Sequence, residues 1–430
     1  EEWLVHPTYQ QTDYIGKTGL EQSYEQDLKG TDGHQQTEVD VAGRPIRELA
    51  SSSAVPGNNL VLALDGKLEQ KMAQALKSGI DAAGAQRGVA IAMDPNNGQI
   101  LGAVNYPSYD NNLFAKGISQ ADYKKLLADP GNPLFNKAVQ GGYPIGSTIK
   151  PLISLAALQE GVINATTTVE DKGKLEVPNI YNPSIVYTFN GWKLEGLGIV
   201  NVAKALSWSS DIFYYVVGGG YKEFRGLGID RLLGWYKKFG LGTKTGIDIK
   251  NESAGILPNP SDKKAQTGET WSVGDTYNIS IGQGNLQATP MQLIAAISSV
   301  ANGGTIYKPR LVKQIVDGQG KVVREVKPEV VLQNFVDPKN IALVQDGMKR
   351  VVSEGTACCR IKQEVPVTVA GKTGTAETSS AGFDGKNART KPHACFVSYA
   401  PAEQPQIAMV VLIENSGEGA EYAAPVTREI

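Results

Sequence analysis

Apolar residues recur along this chain with two different periods, and each period predicts a different kind of element. Leucine, methionine and alanine recur at helical spacing first, which predicts an amphipathic helix over residues 66–80. Val89–Met93 and Ile100–Val104 then flank the dipeptide Asn97-Gly98, a strong signal for a β-hairpin turn. The pattern therefore predicts one helix followed directly by two antiparallel strands.

Further strands are predicted only near the end of the chain. β-branched and apolar runs place them at Val365–Ala370, Cys395–Ala400 and Ile407–Ile413. The long stretch from about residue 110 to about residue 300 is predicted to be mostly helical and rich in loops. A sheet that begins before this helical insertion and is completed after it indicates the α+β class.

The first residues differ in composition from the rest. Residues 1–57 are rich in Gly, Gln, Thr and charge, and Val39–Leu49 predicts short strands joined by turns. The Ser-rich segment 50–57, which ends in Pro-Gly, is typical of a hinge. Because 430 residues also exceed the ~250–300 at which a single core stops growing, we predict a small N-terminal domain over 1–57 and a second domain over 58–430.

Composition narrows the range of functions. The formal net charge of -2 argues against a nucleic-acid partner, which usually requires a basic excess. No apolar run approaches the ~18–20 residues that span a bilayer. The three His and three Cys show no metal-ligand spacing, so a zinc site or a His-dependent triad is disfavoured. We interpret Cys358, Cys359 and Cys395 as ordinary thiols.

The first candidate for chemistry is Ser147. It begins the run Ser147-Thr148-Ile149-Lys150-Pro151, and an apolar helix follows, with the proline in the first turn where a helix tolerates it. Residues three apart share a helix face, so the Lys150 amine is expected beside the Ser147 hydroxyl. A desolvated lysine with a lowered pKa can act as the base that a serine nucleophile needs. A second Ser-x-x-Lys, Ser261–Lys264, is predicted to lie in a polar surface loop.

The second candidate is Ser209-Ser210-Asp211, which precedes the apolar run Ile212–Tyr215 in a region predicted to be helical. A hydroxyl and a carboxylate two residues apart can relay a proton and hold Lys150 in place. The alternative is an ordinary helix N-cap, which Ser and Asp both favour. The tripeptide alone does not decide between the two.

The third candidate is Lys372-Thr373-Gly374, one of three Lys-Thr-Gly copies; the others are at 17–19 and 244–246. Only this copy follows a predicted β-branched strand and precedes a returning one, so we expect it at a strand edge that can pair with an extended peptide. Lys372 supplies positive charge for a carboxylate, Thr373 and Thr375 supply hydroxyls, and Gly374 lets a substrate approach.

Together the three candidates resemble the Ser-x-x-Lys, Ser-Asp-Asn and Lys-Thr-Gly set of penicillin-binding proteins and serine β-lactamases. Their order, with segments such as Asp94–Leu101 and Gly282-Gln283-Gly284, is similar to class B penicillin-binding proteins over most of the chain. Gly19–Glu25 resembles the N-terminal pedestal of the elongation-type enzymes, penicillin-binding protein 2. Asp211, where many relatives carry Asn, indicates the same subtype.

The resemblance implies a fold and an activity. The fold is a five-stranded antiparallel sheet flanked by helices, with an all-helical subdomain and a pedestal; the C-terminal helix is expected to be under way at Ile430. The activity is a peptidoglycan D,D-transpeptidase that cross-links stem peptides ending in D-Ala-D-Ala through a Ser147 acyl-enzyme and that β-lactams inhibit. The implied catalytic residues are Ser147, Lys150, Ser209, Asp211 and Lys372, and the implied substrate-binding residues are Thr373, Gly374 and Thr375. Backbone N–H groups of Ser147 and Thr375 are the implied oxyanion donors.

The resemblance also implies a location and partners. Enzymes of this kind are anchored in the bacterial cytoplasmic membrane by one N-terminal helix, which is not among these residues, and their catalytic domain faces the periplasm or the exterior. They work with a polytopic membrane glycosyltransferase and other rod-complex proteins, and they need no metal or other cofactor.

Three other functions stay open at this point. A D,D-carboxypeptidase would use water instead of an amine as the acyl acceptor. A serine β-lactamase or β-lactam sensor shares the motifs and the fold, although no Glu-x-x-Leu-Asn segment is present to activate a deacylating water. A non-catalytic cell-wall scaffold is disfavoured because Ser147, Lys150 and Lys372 are all intact.

Overall fold

The computed structural model of this chain describes residue 9 and residues 13–115, 117–179, 181–361, 365–378 and 390–430. The α-helices of these residues are α1 Gly19–Ser23, α2 Glu25–Leu28, α3 Gly66–Ala83, α4 Gln120–Ala128, α5 Lys137–Gln140, α6 Lys150–Gln159, α7 Val202–Ser207, α8 Asp211–Gly219, α9 Gly228–Lys238, α10 Pro260–Thr267, α11 Val273–Ser280, α12 Pro290–Ala301, α13 Pro338–Ser353, α14 Cys358–Ile361 and α15 Gly419–Glu429. The strands are β1 His34–Val39, β2 Pro45–Ser52, β3 Asn59–Leu62, β4 Gly88–Met93, β5 Ile100–Tyr106, β6 Val169–Asp171, β7 Lys174–Pro178, β8 Val186–Asn190, β9 Gly198–Val200, β10 Ile306–Tyr307, β11 Val312–Val316, β12 Val322–Glu325, β13 Val330–Leu332, β14 Ala370–Ala376, β15 His393–Ala400 and β16 Ile407–Ile413. Short 3₁₀ turns cover Asn111–Phe114 and Gly146–Ile149.

The chain divides into two compact units. The first consists of Glu1–Ala63, Gly246–Asn251 and Arg310–Lys327, and the second of Leu64–Thr245, Glu252–Pro309 and Pro328–Ile430. Among the described helices of both units, none has the length and apolar character needed to cross a membrane.

Distant segments of the chain meet in the first unit. Strand β3 pairs antiparallel with β11, which also pairs with β12. The Asp248 carboxylate accepts the backbone N–H groups of Leu311 and Val312 and the hydroxyl of Tyr24. Shared hydrogen bonds thus hold the three segments together.

The N-terminal ribbon of the first unit is formed by β1 and β2, as the alternation over Val39–Leu49 predicted. The segment 50–57, interpreted from its composition as a hinge, is partly regular: β2 continues to Ser52, and Val55 pairs with Thr31 in an isolated bridge. Backbone pairing therefore fixes half of the residues of this Ser-rich segment. The domain boundary at residue 57 stays a prediction.

The second unit is built on a five-stranded sheet in the order β14-β15-β16-β4-β5, with every neighbouring pair antiparallel. This confirms the predicted sheet and its α+β class. The residues of β4 are buried throughout because helices cover both faces. Helices α3 and α15 pack on one face, where they share a core cluster with alternate sheet residues, and α12 packs against β4, β15 and β16 on the other.

One predicted strand is misplaced in the sequence analysis. Residues 365–369 are not strand, and β14 begins at Ala370 and continues to Ala376. Pro366 has no N–H to donate to a ladder, whereas residues 370–376 pair without interruption with β15. The Lys-Thr-Gly motif therefore lies within the edge strand itself rather than after it.

The middle of the chain is mostly helical, as predicted, from α4 to α12. It also carries two small two-stranded sheets, β6 with β9 and β7 with β8, which the sequence did not predict. The prediction of a loop at Ser261–Lys264 is wrong, because these residues lie in the exposed helix α10, which Asn259 caps and Pro260 opens. The predicted amphipathic helix is confirmed as α3, and α15 is the expected helix at the end of the chain.

Candidate active site

Ser147 lies in the 3₁₀ turn Gly146–Ile149 that leads directly into α6. Two glycines make this turn possible. Gly146 has a φ of +52°, and its N–H donates to the carbonyl of Gly282 at 2.9 Å. A Cβ on Gly146 would meet the carbonyl oxygen of Thr375 at 2.7 Å, and one on Gly282 would meet the carbonyl oxygen of Gly146 at 2.1 Å. The half-buried Ser147 is thereby held against β14.

Lys150, one helical turn after Ser147, is fully buried. Its Nζ donates to the Ser209 carbonyl at 2.9 Å, lies 3.1 Å from Ser209 Oγ and forms an ion pair with Asp211 Oδ1 at 2.6 Å. Burial lowers the pKa of Lys150, and the negative charge of Asp211 opposes this shift. Among the described residues, no direct hydrogen bond joins Lys150 to the Ser147 hydroxyl.

The tripeptide Ser209-Ser210-Asp211 makes both kinds of contact that its sequence left open, a helix cap and hydrogen bonds to Lys150. Ser210 caps α8, because its Oγ accepts the N–H of Phe213 at 3.1 Å. The residues on either side, Ser209 and Asp211, contact the Lys150 amine instead. Asp211 Oδ2 also accepts the backbone N–H of Trp192 at 3.0 Å, which fixes the carboxylate from a second direction.

Lys372 is fully buried on the edge strand β14. Its Nζ donates to the carbonyl of Thr373 at 3.0 Å. Burial holds the pKa of Lys372 well below its usual value. The positive charge of Lys150 lowers this pKa further, and the negative charge of Asp211 opposes the shift. Because the charges of Lys150 and Asp211 both act on Lys372, this amine lies within electrostatic reach of the Lys150–Asp211 pair.

The residues after Lys372 have more contacts within the protein than the sequence suggested. Thr373 Oγ1 hydrogen-bonds Thr356 Oγ1 at 2.7 Å, and Thr375 Oγ1 accepts the N–H of Gly419 at 3.3 Å. A Cβ on Gly374 would meet Thr148 Cγ2 at 2.7 Å and the Ile145 carbonyl oxygen at 2.9 Å. In this structure, glycine at 374 therefore lets the strand pack on the Ser147 turn.

Several residues of this region escaped sequence reasoning. Asp171, at the end of β6, is buried and accepts a short hydrogen bond from Ser210 Oγ. Gln283 Nε2 donates to the carbonyl of Thr375 at 3.3 Å, and Thr356 bonds Thr373 as described. Gly282-Gln283-Gly284 carried a signal through its family resemblance alone, and no periodicity or spacing in the sequence marks Asp171.

The duplicate motifs contribute no residue to this constellation. Ser261 is exposed on α10, Lys244 is exposed in a loop, and Lys17 belongs to the first unit. The second unit instead brings the Ser147 turn, the Lys150–Ser209–Asp211 network and the Lys372 strand together.

Comparison with known protein families identifies the family in which these residues occur. The description "penicillin binding protein transpeptidase domain" matches residues 88–430, which is most of the chain and includes every candidate site residue. The chain belongs to the penicillin-binding protein transpeptidase family. Residues 3–62 match a second description, "penicillin-binding protein dimerisation domain".

The curated relatives of this family member include peptidoglycan D,D-transpeptidases named MrdA. The Haemophilus influenzae protein is 36% identical over 431 residues, which cover 98% of this chain and 63% of the relative. The Escherichia coli K12 protein is 36% identical over 419 residues, which cover 96% of this chain and 63% of the relative. The chain thus spans a little under two thirds of the length of these relatives.

Solved structures agree with this placement. Penicillin-binding protein 2 of Helicobacter pylori, in complex with MreC, is 28% identical to this chain, with a TM-score of 0.85. The match covers all of this chain and 73% of the Helicobacter pylori chain. Penicillin-binding protein 2 of Pseudomonas aeruginosa, in complex with WCK 5153, is 34% identical, with a TM-score of 0.78. The match covers 97% of this chain and 83% of the Pseudomonas aeruginosa chain. A chain from a peptidoglycan synthase complex that coordinates polymerization and crosslinking is 32% identical, with a TM-score of 0.80. The match covers 99% of this chain and 71% of the chain from that complex.

Proposed function

We propose that this chain is the extracytoplasmic catalytic portion of a peptidoglycan D,D-transpeptidase of the elongation type, with Ser147 as its nucleophile. The observation that carries the proposal is the buried network behind Ser147. Lys150, Ser209 and Asp211 are joined by hydrogen bonds of 2.6 to 3.1 Å, and a second buried amine, Lys372, lies within electrostatic reach. The close similarity to curated D,D-transpeptidases supports the same reaction.

Acylation begins with the Ser147 hydroxyl. Burial favours the neutral form of Lys150, so its amine can take the hydroxyl proton as the oxygen attacks the carbonyl carbon between the two D-Ala residues. The negative charge that develops on the carbonyl oxygen is stabilised by the backbone N–H groups of Ser147 and Thr375. When the peptide bond breaks, the amine of the departing D-Ala takes back one proton, for which Ser209 Oγ, 3.1 Å from Lys150 Nζ, is the relay.

Transfer completes the cycle. The amine of a second stem peptide attacks the acyl-enzyme and loses a proton to the Lys150–Ser209 pair. As the ester bond breaks, the same pair returns a proton to Ser147 Oγ, which restores the free hydroxyl. The carboxylate of the donor peptide is bound by Lys372 and by the hydroxyls of Thr373 and Thr375, and the peptide backbone pairs along the edge of β14. Gly374 contributes by letting β14 pack closely on the Ser147 turn. A β-lactam enters the same path, but its ring-opened product stays on Ser147.

The setting of the reaction is inferred from the family resemblance. The chain would act on the outer side of the bacterial cytoplasmic membrane, anchored by a helix that precedes these residues in the full protein. The Helicobacter pylori relative forms a complex with MreC, and another relative belongs to a complex that coordinates polymerization with crosslinking. We infer partners of this kind: a polytopic glycosyltransferase and rod-complex proteins.

A fluorescent penicillin tests the nucleophile. The wild-type chain should acquire one stable acyl group, which mass spectrometry should place on Ser147, and Ser147→Ala should acquire none while keeping its circular dichroism spectrum. Ser261→Ala is the matched control from the duplicate motif on α10 and should label like the wild type. An acyl group on another serine would refute the assignment.

The fate of the acyl group separates the related activities. A donor peptide ending in D-Ala-D-Ala, offered together with an amine acceptor, should give the cross-linked product. Product formed with water alone would indicate a carboxypeptidase, rapid turnover of penicillin would indicate a β-lactamase, and no labelling would indicate a scaffold.

A further inference from the structure

The backbone of Ser209 adopts an unusual conformation. Its φ is +56°, in the left-handed region that a serine seldom occupies. A non-glycine residue stays in such a conformation only where its surroundings fix it, and such residues concentrate at functional sites. Here the conformation coincides with two contacts to one atom, because both the carbonyl oxygen and Oγ of Ser209 lie within 3.1 Å of Lys150 Nζ.

The next residue shows what fixes this backbone. Ser210 N–H donates to the Ala205 carbonyl at 3.0 Å, and Ser210 Oγ accepts the N–H of Phe213 at 3.1 Å. The remaining bond of this hydroxyl goes to Asp171 Oδ2, and it is among the short hydrogen bonds of the described chain. Ser210 is therefore held at its backbone and on both sides of its hydroxyl.

Asp171 is itself rigidly placed. It is 4% exposed, its Oδ1 accepts the N–H of Gly173 at 2.9 Å, and its backbone carbonyl accepts the N–H of Leu197 at 3.1 Å. No lysine or arginine of the described residues lies within ion-pair distance of its carboxylate. Burying a carboxylate without an adjacent cation is unfavourable, and a neutral side chain could accept the same hydrogen bonds. The negative charge at this position is therefore expected to act on a cation that lies beyond ion-pair distance.

We propose that Asp171 is a positioning residue of this active site: through Ser210 it holds the Ser209 backbone in its left-handed conformation, so that both Ser209 oxygens face Lys150, and its charge acts on the same amine. The inference rests on the proposed role of Ser147 and Lys150 in acylation. It assigns to β6 a part in the chemistry that none of the three sequence motifs contains.

The charges around Lys150 are few. Asp211 of α8 and Asp171 of β6 favour its protonated form, and the Lys372 amine of β14 is the other charge-bearing group of this set. The Tyr214 ring of α8 lies 5.3 Å from the amine. On the neighbouring helices α7, α9 and α13, three basic side chains bind other acceptors: Lys204 donates to the carbonyls of Leu197 and Ile199, Arg231 pairs with Glu160, and Arg350 pairs with Asp346.

Three variants, Asp171→Ala, Ser210→Ala and Asp171→Asn, separate the two effects of Asp171. The measurement is the second-order rate constant of penicillin acylation from pH 5 to pH 10. Asp171→Ala removes the link and the charge and should slow acylation about 10–100-fold, the scale of a misplaced catalytic group. Ser210→Ala removes the link from the other side and should slow it in the same direction, which keeps the test valid if the first variant does not fold. Asp65→Ala is the control, because it deletes a capping carboxylate at the start of α3 and should acylate like the wild type.

Asp171→Asn provides the readout that a purely structural role would leave unchanged. The amide keeps an acceptor oxygen for Ser210 but loses the negative charge that favours protonated Lys150. The pKa of Lys150 should fall further, so the acid limb of the acylation profile should move to lower pH. An acid limb at the wild-type pH would show that the charge does not act on the amine.

A crystal structure of Asp171→Ala tests the conformational part without relying on activity. We expect Ser209 to leave the left-handed region and its carbonyl to move out of hydrogen-bond distance of Lys150. If Ser209 keeps its φ and its contacts, the inference is overturned, whichever serine is acylated. If the conformation changes but Ser147→Ala still labels, Asp171 positions Ser209 as inferred and the proposed nucleophile is wrong.

Discussion

At the scale of single residues, the site is defined by two buried amines. Lys150 and Lys372 are both withdrawn from solvent, and burial lowers the pKa of each. Two cations in one buried site repel each other, so protonation of one disfavours protonation of the other. Asp211 opposes the shift at Lys150, but burial is the larger influence, so the pKa of this amine is lowered relative to that of an exposed lysine.

Lys372→Ala tests this arrangement directly. The substitution removes the amine that would bind a substrate carboxylate, so we expect acylation by penicillin to slow by ~10²–10³-fold, as for loss of one preorganised electrostatic contact. The measurement is the acylation rate against penicillin concentration, accompanied by a thermal unfolding curve that shows whether the fold is kept.

The duplicate Lys-Thr-Gly motifs supply matched controls for that variant. Lys244→Ala alters an exposed loop and Lys17→Ala alters the first unit, so both should acylate at the wild-type rate. A slow Lys244→Ala, or a Lys372→Ala that acylates normally, would mean that the wrong copy was chosen.

Single residues also show where sequence reasoning stops. Ser147 and Lys150 were proposed from their spacing and the apolar helix that follows them, and Asp211 from its place in the family motif set. Ser261 has the same spacing to Lys264 and was set aside only because a polar surface loop was predicted there. Asp171 was not predictable, because it reaches the site only through the pairing of β6 with β9 and a hydrogen bond to a residue 39 positions away. A lone aspartate before a Lys-Gly turn has no pattern that distinguishes it from a surface turn.

At the scale of elements, the site depends on how closely β14 packs on the 3₁₀ turn of Ser147. Three glycines, Gly146, Gly282 and Gly374, stand where a Cβ would meet neighbouring atoms at 2.1 to 2.9 Å. The sequence predicted a strand next to Lys372 but placed it a few residues early, since β-branched residues cluster before the motif. Small residues such as Gly371 and Gly374 have low strand propensity, and pairing with β15 overrides it.

Gly374→Ala probes this packing. The added methyl would meet Thr148 Cγ2 at 2.7 Å and the Ile145 carbonyl at 2.9 Å, so strand and turn must separate. We expect the free energy of unfolding to fall by about 1–3 kcal/mol, as for an overpacked core, and acylation to slow because the Ser147 turn moves relative to Lys372. Chemical denaturation and penicillin labelling measure the two effects.

Gly234→Ala is the control for the same change of side chain. Gly234 is exposed in α9, with no atom within 4 Å of the added Cβ, so the substitution should stabilise the helix by about 0.4–1 kcal/mol and leave acylation unchanged. If Gly374→Ala were equally stable and active, close packing of β14 on the turn would not be required.

At the scale of the whole molecule, the two units differ in how far they could be predicted. Four of the five strands in the sheet of the second unit, β4, β5, β15 and β16, were predicted from local apolar patterns, whereas the edge strand β14 was placed a few residues early. The first unit is composed of three segments, and its β3 pairs with β11 about 250 residues later in the chain. No local pattern reports such a pairing, which is why the sequence suggested a simple boundary at residue 57.

Truncation at that boundary distinguishes support from catalysis. A fragment of residues 58–430 keeps β3, which begins at Asn59, and so retains the β12-β11-β3 sheet and every candidate site residue. We expect it to fold and to acylate at the wild-type rate. A fragment of residues 64–430 is the matched comparison, because it also removes β3 and leaves β11 without one ladder partner. Hydrogen exchange should then be faster over residues 310–327 in the shorter fragment alone. A well-folded 58–430 fragment that fails to bind penicillin would contradict the prediction, because it would mean that residues 1–57 are needed for acylation itself.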